Sequence, residues 1–529
     1  MRISDVVAFA AMRAPEVTAL EFEDRAWNYR ELHADACRLA HGLGGIARPR
    51  DRVAVLTENN PEYVLAYYGV PLAGMALVFV NYRLAPREVV DLLSDATPTV
   101  LVTEAKFLDT ARTAAEAVGS IRTIVTVDGP AEGALEFAAL LDGQPATEPA
   151  PPDEDAPAWL LYTSGTTGRA KGAVLTHRNV VAAVVNAGVS WSRGEEERGG
   201  SQHVVCQHVV SLCPWPLCHI AGYGVVVSHL AADTVVLLRR YDPEGFLAAV
   251  ARHRVTSTTV APTMLAMLLR HPTFNSYDTS SITRIGYGSA PMPVATLREG
   301  MRRFPNASFQ TGFGMTELAG NVLVHSAEDH VAAAAGRTEL LASVGRPMAV
   351  SAVRVVDETG ADCAPDEVGE LVVRGDQVCS GYWNRPDASA EAFRDGWFHS
   401  GDLARRDAEG YFYIVDRKKD MILTGGENVY SREVEEVLHH HPAVAAAAVV
   451  GAPDEVWGER VVAVIEPLAG QRPTEAEIRE FCSGQLAGYK CPRQVLVVDE
   501  LPRNTVGKIL KRELRDRVRD AVDTAGSPS

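Results

Sequence analysis

No run of eighteen uncharged apolar residues occurs in these 529 residues, so the sequence offers no segment for a membrane-spanning helix. Nor does it hold a basic block of five or six residues: 51 Lys and Arg stand against 68 Asp and Glu, for a net charge of −17. Nucleic acid and anionic membrane surfaces therefore find no electrostatic support, and small molecules are the expected partners. Cysteine is sparse, with eight residues scattered outside any framework spacing, as in a reducing compartment. The segment Met1-Arg2-Ile3-Ser4-Asp5 puts an acid where a secretory signal would be apolar, which points to the cytoplasm. The densest group of metal-type ligands, His203, Cys206, His208, Cys213, Cys218 and His219, lacks paired C-x-x-C spacing and reads as packing and pocket lining.

Apolar residues are plentiful, at 47% of the chain, and the length calls for at least two domains. Helix-like segments at 29–43 and 61–72 alternate with strand-like ones at 52–56 and 76–80. This βα repetition predicts a layered α/β fold with a parallel sheet, in which ligands sit beyond the carboxyl ends of strands. Residues 145–157, rich in proline, alanine and acids, read as a surface connector, and residues 194–200 as a polar, mobile, glycine-flanked loop. From residue 343 short alternating strands at 352–356 and 369–374 suggest a smaller β-rich unit. The charge run Asp416-Arg417-Lys418-Lys419-Asp420 marks a domain boundary. Beyond it lie a helix at 432–440, strands at 443–450 and 461–465, and a helix at 475–486.

The chain is organised around one stretch. The apolar Leu160-Leu161-Tyr162-Thr163 opens into Ser164-Gly165-Thr166-Thr167-Gly168-Arg169-Ala170-Lys171-Gly172. Glycines let the backbone approach an anion and aim N–H groups at it, hydroxyls add donors and Lys171 adds charge, so the loop is built for phosphate. A Walker A loop is excluded, because its second glycine would fall on Ala170 and its hydroxyl on Gly172.

Four further segments carry chemistry. The two prolines of Pro214-Trp215-Pro216-Leu217-Cys218-His219-Ile220-Ala221-Gly222 fix the backbone and aim His219. Gly286-Tyr287-Gly288-Ser289-Ala290-Pro291 follows a strand-like 282–285 and reads as a tight strand-to-helix turn. In Gln310-Thr311-Gly312-Phe313-Gly314-Met315-Thr316-Glu317 two glycines permit close approach, Phe313 offers a stacking face, and Thr316 and Glu317 offer oxygen ligands suited to magnesium beside a phosphate. A dinucleotide fingerprint would need a third glycine where Glu317 stands. Asp402, in His399-Ser400-Gly401-Asp402, lies in a glycine-supported turn.

Together these segments resemble the signatures of the adenylate-forming superfamily, which includes acyl-CoA synthetases, stand-alone adenylation domains and luciferases. The loop is similar to YTSGTTGxPKG, with Ala170 in place of the usual proline; the others are similar to PLFHxxG, GGAP, TGD and a terminal PxTxxGKxxR, met here as Arg503-Asn504-Thr505-Val506-Gly507-Lys508. The order matches from about residue 20 to about residue 515. Ser431 stands where many relatives have proline, and a slightly looser loop is expected there.

The resemblance implies an α/β architecture: a large N-terminal domain, 1–416, of two layered αβα subdomains plus a small β-rich one, a hinge at 417–419, and a small mobile α+β domain, 420–529, carrying a catalytic lysine. It implies that Thr163, Ser164, Gly165, Thr166, Thr167, Gly168 and Lys171 hold the β- and γ-phosphates of ATP, with Mg2+ near Thr167 and Glu317. Gly312, Phe313, Gly314, Met315 and Thr316 would line the nucleotide, with Phe313 backing the adenine and Gly288, Ser289, Ala290 and Pro291 on its other side. Asp402 and Arg417 would hold the ribose, His219 would stand at the mouth of the acyl pocket, and Lys508 would reach the forming acyl-phosphate junction. Lys419 would be the pivot, and Gly425, Gly426 and Glu427 the loop presented to pantetheine.

The implied reaction activates a carboxylic acid as acyl-AMP with loss of pyrophosphate, then passes the acyl group to a thiol. Three readings stay open: an acid–CoA ligase, a ligase loading a carrier-protein phosphopantetheine, and a non-catalytic relative. The third is disfavoured, since every motif carboxylate and lysine is present. CoA is preferred on Gly425-Gly426-Glu427-Asn428 and the PLxHxxG-type segment. The absence of an aspartate from residues 214–222 points away from α-amino acids, toward an acid apolar near its carboxylate.

Overall fold

The computed structural model describes residues 1–163, 170–196, 208–290, 292–454, 456–503 and 509–525, with side chains of 191–196 and 519–525 left aside. The chain divides into two compact units, one of Met1–Val353 with Val373–Phe398, the other of Arg354–Val372 with His399–Ser529.

The first unit holds two sheets. One has seven strands, in the order Leu135–Glu136, Thr123–Thr126, Val100–Thr103, Arg52–Leu56, Ala76–Phe79, Pro157–Thr163, Lys171–Thr176. All neighbours in it are parallel except the last pair. The other has nine, with a parallel centre made by Ser308–Met315, Arg284–Tyr287, Ser257–Val260, Val210–Cys213, Thr234–Leu237 and Thr18–Phe22, and antiparallel strands at each end. Parallel strands are covered on both faces, which is why they read as unbroken apolar runs.

Between the sheets the largest core contains the helix Pro61–Leu72, every residue of which except Glu62 is buried. Its start is fixed by Asn60, whose side chain accepts from the Tyr63 N–H, and by Pro61 in the first turn. Tyr63, Tyr67, Phe79 and Trp159 pack ring against ring within it. A second core packs helices Pro243–His253, Pro262–Leu269 and Val294–Arg303 on the nine-stranded sheet, and a third packs Pro86–Ala96 and Leu108–Val118 on the seven-stranded one. The expected pair of layered α/β halves is present.

Two local expectations change. The helix His177–Glu196 runs on through residues 194–196, where a loop was expected, and 197–200 lie outside the described residues. The strand Arg284–Tyr287 includes Gly286 and Tyr287, because both pair with the strands on either side, so the turn starts only at Gly288.

The second unit is built on the antiparallel pair Val444–Asp454 and Gly458–Pro467, with Gln494–Val497 parallel to the latter. Residues alternate between two cores: Val461, Ala463 and Ile465 meet Val434, Leu438, Ile478 and Cys482, while Val462 and Val464 meet Leu501, Leu514 and Val518. Among the described residues no helix is long and apolar enough to cross a membrane.

Candidate active site

In the first unit the carboxyl ends of three parallel strands of the nine-stranded sheet carry the expected segments. After Val210–Cys213 comes the Pro214–Gly222 stretch, after Arg284–Tyr287 the glycine turn, and Ser308–Met315 itself leads into Thr316 and Glu317. Gly288 abuts Gly312, whose carbonyl would lie 3.4 Å from a β-carbon at 288. Gly314 cannot be another residue: a β-carbon there would stand 2.0 Å from the Gly320 carbonyl oxygen. The close approach at Gly314 is thus to the neighbouring strand Gly320–His325. Phe313, Met315 and Thr316 are half-buried, Ala290 is exposed, and Ser289 is exposed with φ +70.

The phosphate loop's flanks are closely paired. Thr163 faces Lys171 across the strand register and donates to its carbonyl at 3.4 Å. Ser164, Gly165, Thr166, Thr167 and Gly168, together with Pro291 and Lys508, lie outside the described residues, as do His203 and Cys206.

Lys171 and Glu317 are brought together by Tyr382, a residue that no motif or spacing marked. The Tyr382 hydroxyl donates to Glu317 Oε1 at 2.9 Å, and Lys171 Nζ stands 5.2 Å from the centre of its ring. Glu317 is half-buried, and no other hydrogen bond or ion pair reaches its carboxylate among the described residues. A half-buried carboxylate with one oxygen fixed and the other open fits a hard cation.

His219 is set by its neighbours. Asn59 donates to the carbonyl of Trp215 at 2.8 Å and accepts from the N–H of Leu217 at 2.7 Å, while the Tyr67 hydroxyl donates to the Leu217 carbonyl. Trp215 Nε1 donates to Thr259 at 2.8 Å. Nε2 of His219 is buried without a partner among the described residues. Burial, reinforced by the Arg83 charge, pushes its pKa down to about 4, so the ring is neutral at pH 7.

The second unit holds the remaining expected residues. Asp402 and Arg417 are register partners on paired strands, and Arg417 Nε lies 2.7 Å from Asp402 Oδ1. Gly425 and Gly426 turn the hairpin of Ile422–Thr424 and Glu427–Val429 with φ of +60 and +83, a pair of left-handed residues suited to a two-residue turn. Gly425, Gly426 and Glu427 are exposed.

Around Lys419 a polar network closes. Arg515 donates to the Lys419 carbonyl at 3.3 Å and pairs with Asp420. Lys511 donates to Ser431 at 2.6 Å and pairs with Glu435 at 2.8 Å, and the Ser431 hydroxyl donates to Asp416 at 2.8 Å. Ser431 is fully buried, so it tightens this region instead of loosening it as expected, because its hydroxyl bridges a cation and a carboxylate as a proline could not.

Comparison with known proteins agrees with these signatures. The profile of AMP-binding enzymes matches residues 7–383, and that of the AMP-binding enzyme C-terminal domain matches 433–508. The chain is 40% identical to a feruloyl-CoA synthase of Amycolatopsis over 510 residues, covering 96% of this chain and 97% of that one. It is 35% identical to a fatty acid–[acyl-carrier-protein] ligase of Streptomyces coeruleorubidus, covering 96% and 95%. Among solved structures, the o-succinylbenzoate CoA synthetase of Bacillus subtilis, in complex with its acyl-adenylate intermediate, matches with a TM-score of 0.82 and 32% identity over 97% and 98%.

Proposed function

The chain belongs to the AMP-binding enzyme family, and from that premise we propose how an acid–CoA ligase works with these residues. It is an AMP-forming acyl-CoA synthetase. A carboxylate is a poor electrophile. Its oxygen attacks the α-phosphorus of ATP, pyrophosphate leaves with the bridging electron pair, and the resulting mixed anhydride is open to attack. The CoA sulfur then bonds to the acyl carbon as AMP departs with the former carboxylate oxygen.

The observation that carries the assignment of roles is the placing of Lys171 and Glu317 on one tyrosine beside the phosphate loop. Lys171 and the loop residues 164–168 hold the β- and γ-phosphates, and Glu317, with Thr167, holds Mg2+. When bound, the metal neutralises charge on the phosphates. Each well-placed donor aimed at developing charge is worth about 3 kcal/mol. Gly288, Ser289 and Phe313 flank the adenine, while Asp402 and Arg417 grip the ribose. Lys508 stabilises the acyl-phosphate junction. Neutral His219 lines the pocket mouth without adding charge next to the acid.

The small C-terminal domain, 420–529, turns about 417–419 between the two half-reactions. The acid is an aryl-substituted carboxylate of the cinnamate kind; the similarity to a feruloyl-CoA synthase and the lack of an aspartate in residues 214–222 support this. The site of action is the cytoplasm, which the seven free cysteines among the described residues favour. The resemblance to an acyl-carrier-protein ligase supports a second acceptor reading, a phosphopantetheine thiol.

Pyrophosphate release tests the acid, and thioester formation with CoA or a holo carrier protein tests the acceptor. Hydroxylated cinnamates should exceed fatty acids and α-amino acids, with CoA as acceptor. Leucine or phenylalanine as best acid, or a product only on the carrier protein, would overturn the respective reading.

A further inference from the structure

Residues 379–383 form a strap that ties the phosphate loop to the carboxylate. Ser380 donates to the Val174 carbonyl at 3.0 Å, Val174 to that of Gly381 at 3.0 Å, and Trp383 to that of Gly172 at 2.7 Å, so the strap lies along the strand Lys171–Thr176. At its other end Cys379 donates to the Glu317 carbonyl at 2.8 Å. Tyr382 sits between, its N–H donating to Ser389 at 2.9 Å.

The strap is also anchored to the strand that leads into the loop. Asp95 accepts from the Tyr162 hydroxyl at 2.8 Å and pairs with Arg385 at 2.8 Å, while its carbonyl accepts from Trp383 Nε1 at 3.1 Å. Both flanks of the phosphate loop and the Glu317 carboxylate are therefore held in register by one segment. Tyr382 alone in it touches two of the charged groups.

We propose that Tyr382 is a positioning residue for the metal that accompanies ATP, an inference that rests on the reading of Glu317 as its ligand. The phenolic hydroxyl donates to Oε1 of Glu317 and fixes the rotation of the carboxylate, so that Oε2 faces a cation in one orientation. Partners of this kind behind a metal ligand typically change metal affinity 10–100-fold when removed. The ring does a separate task. Its face lies against Lys171 Nζ and holds that ammonium beside the loop.

The two tasks separate by substitution. Tyr382→Phe keeps the ring and removes the hydroxyl, whereas Tyr382→Leu removes both. Binding of a non-hydrolysable ATP analogue is measured by calorimetry with Mn2+ and again in excess chelator. For Tyr382→Phe the expected result is about tenfold weaker binding of the Mn2+-loaded analogue, with metal-free affinity and melting temperature unchanged. Tyr382→Leu should weaken the metal-free analogue as well. Equal loss with and without metal in Tyr382→Phe, or a lowered melting temperature, would make Tyr382 a packing residue and overturn the proposal. Glu317→Gln distinguishes the underlying reading. If it loses the metal dependence while Tyr382→Phe keeps it, only the role of Tyr382 fails. If Glu317→Gln itself binds the Mn2+-loaded analogue as the parent does, Glu317 is no metal ligand and both fail.

Discussion

Arg417 and Asp402 meet across two paired strands, Nε to Oδ1 at 2.7 Å, with the carboxylate side chain buried and the guanidinium 37% exposed. The salt bridge fixes the orientation of the buried Asp402 carboxylate. Strand register creates the pair, since 402 and 417 stand opposite each other.

Asp402→Asn keeps the shape and removes the charge. If Asp402 grips the ribose, the ATP KM should rise about tenfold, the loss of one charge-assisted hydrogen bond of about 1.5 kcal/mol. The KM for the acid should change little. Pyrophosphate release with ATP varied at saturating acid measures this, and an unchanged ATP KM counts against the ribose role.

Ser289 pays a conformational cost where the resembled superfamily has glycine. Its φ of +70 lies in the left-handed region, which costs an L-residue about 1–2 kcal/mol. Ser289→Gly relieves this strain but adds about 0.4–1 kcal/mol of unfolded-chain entropy. A net gain of about 0.5 kcal/mol is expected, with ATP KM unchanged within about twofold. Chemical denaturation reads the gain. A destabilised variant would show that the serine side chain makes a contact worth more than the strain.

Burial lowers the pKa of His177, His219 and His229 to about 4, and of His325 to about 3. His229 shows the arrangement: fully buried, its ring bonded to the Tyr68 hydroxyl at 2.6 Å and the Ala19 carbonyl at 3.0 Å. In the unfolded chain each histidine returns to about 6.5. Between pH 6.5 and 4 the unfolded state therefore binds protons that the folded state does not, and stability, full above pH 6.5, falls as the pH falls. At pH 5 each of these groups costs on the order of 2 kcal/mol. The melting temperature should drop from pH 7 to pH 5, and His229→Gln should show a shallower drop. A melting temperature flat over this range would contradict the neutral, buried histidines.

Much of this was legible because local pattern and tertiary role coincide. Residues 61–72 read as a helix and form one, and residues 461–465 read as a strand because both of their faces are covered. What escaped depends on distant partners. The strand Thr18–Phe22 joins the sheet of Thr234–Leu237, a pairing that no local signal encodes. Tyr382 escaped likewise: its meaning comes from Glu317 and Lys171, both far along the chain, and the strap adds to its neighbour strand through only a few hydrogen bonds. The motif glycines were legible as close approaches, but not whose. At Gly314 the neighbour is another strand's backbone.

Lys508 and the Gly425–Gly426 turn belong to the same unit, and each is proposed to serve a different half-reaction about a pivot at Lys419. The peptide at that pivot is held from within its own unit: Arg515 takes the Lys419 carbonyl at 3.3 Å and pairs with Asp420, so rotation must be absorbed at Lys419 or before it. The N–H of Lys419 has no backbone partner among the described residues, so proline there removes no hydrogen bond and acts through its fixed φ near −65°. Lys508→Ala should cripple acyl-adenylate formation while leaving transfer from supplied acyl-adenylate to CoA largely intact. Lys419→Pro should unbalance the two half-reactions, sparing whichever pose the fixed φ allows. Single-turnover assays of each half-reaction separate these outcomes. If both variants lose the two half-reactions in equal proportion, the pivot at Lys419 has no role in alternating them.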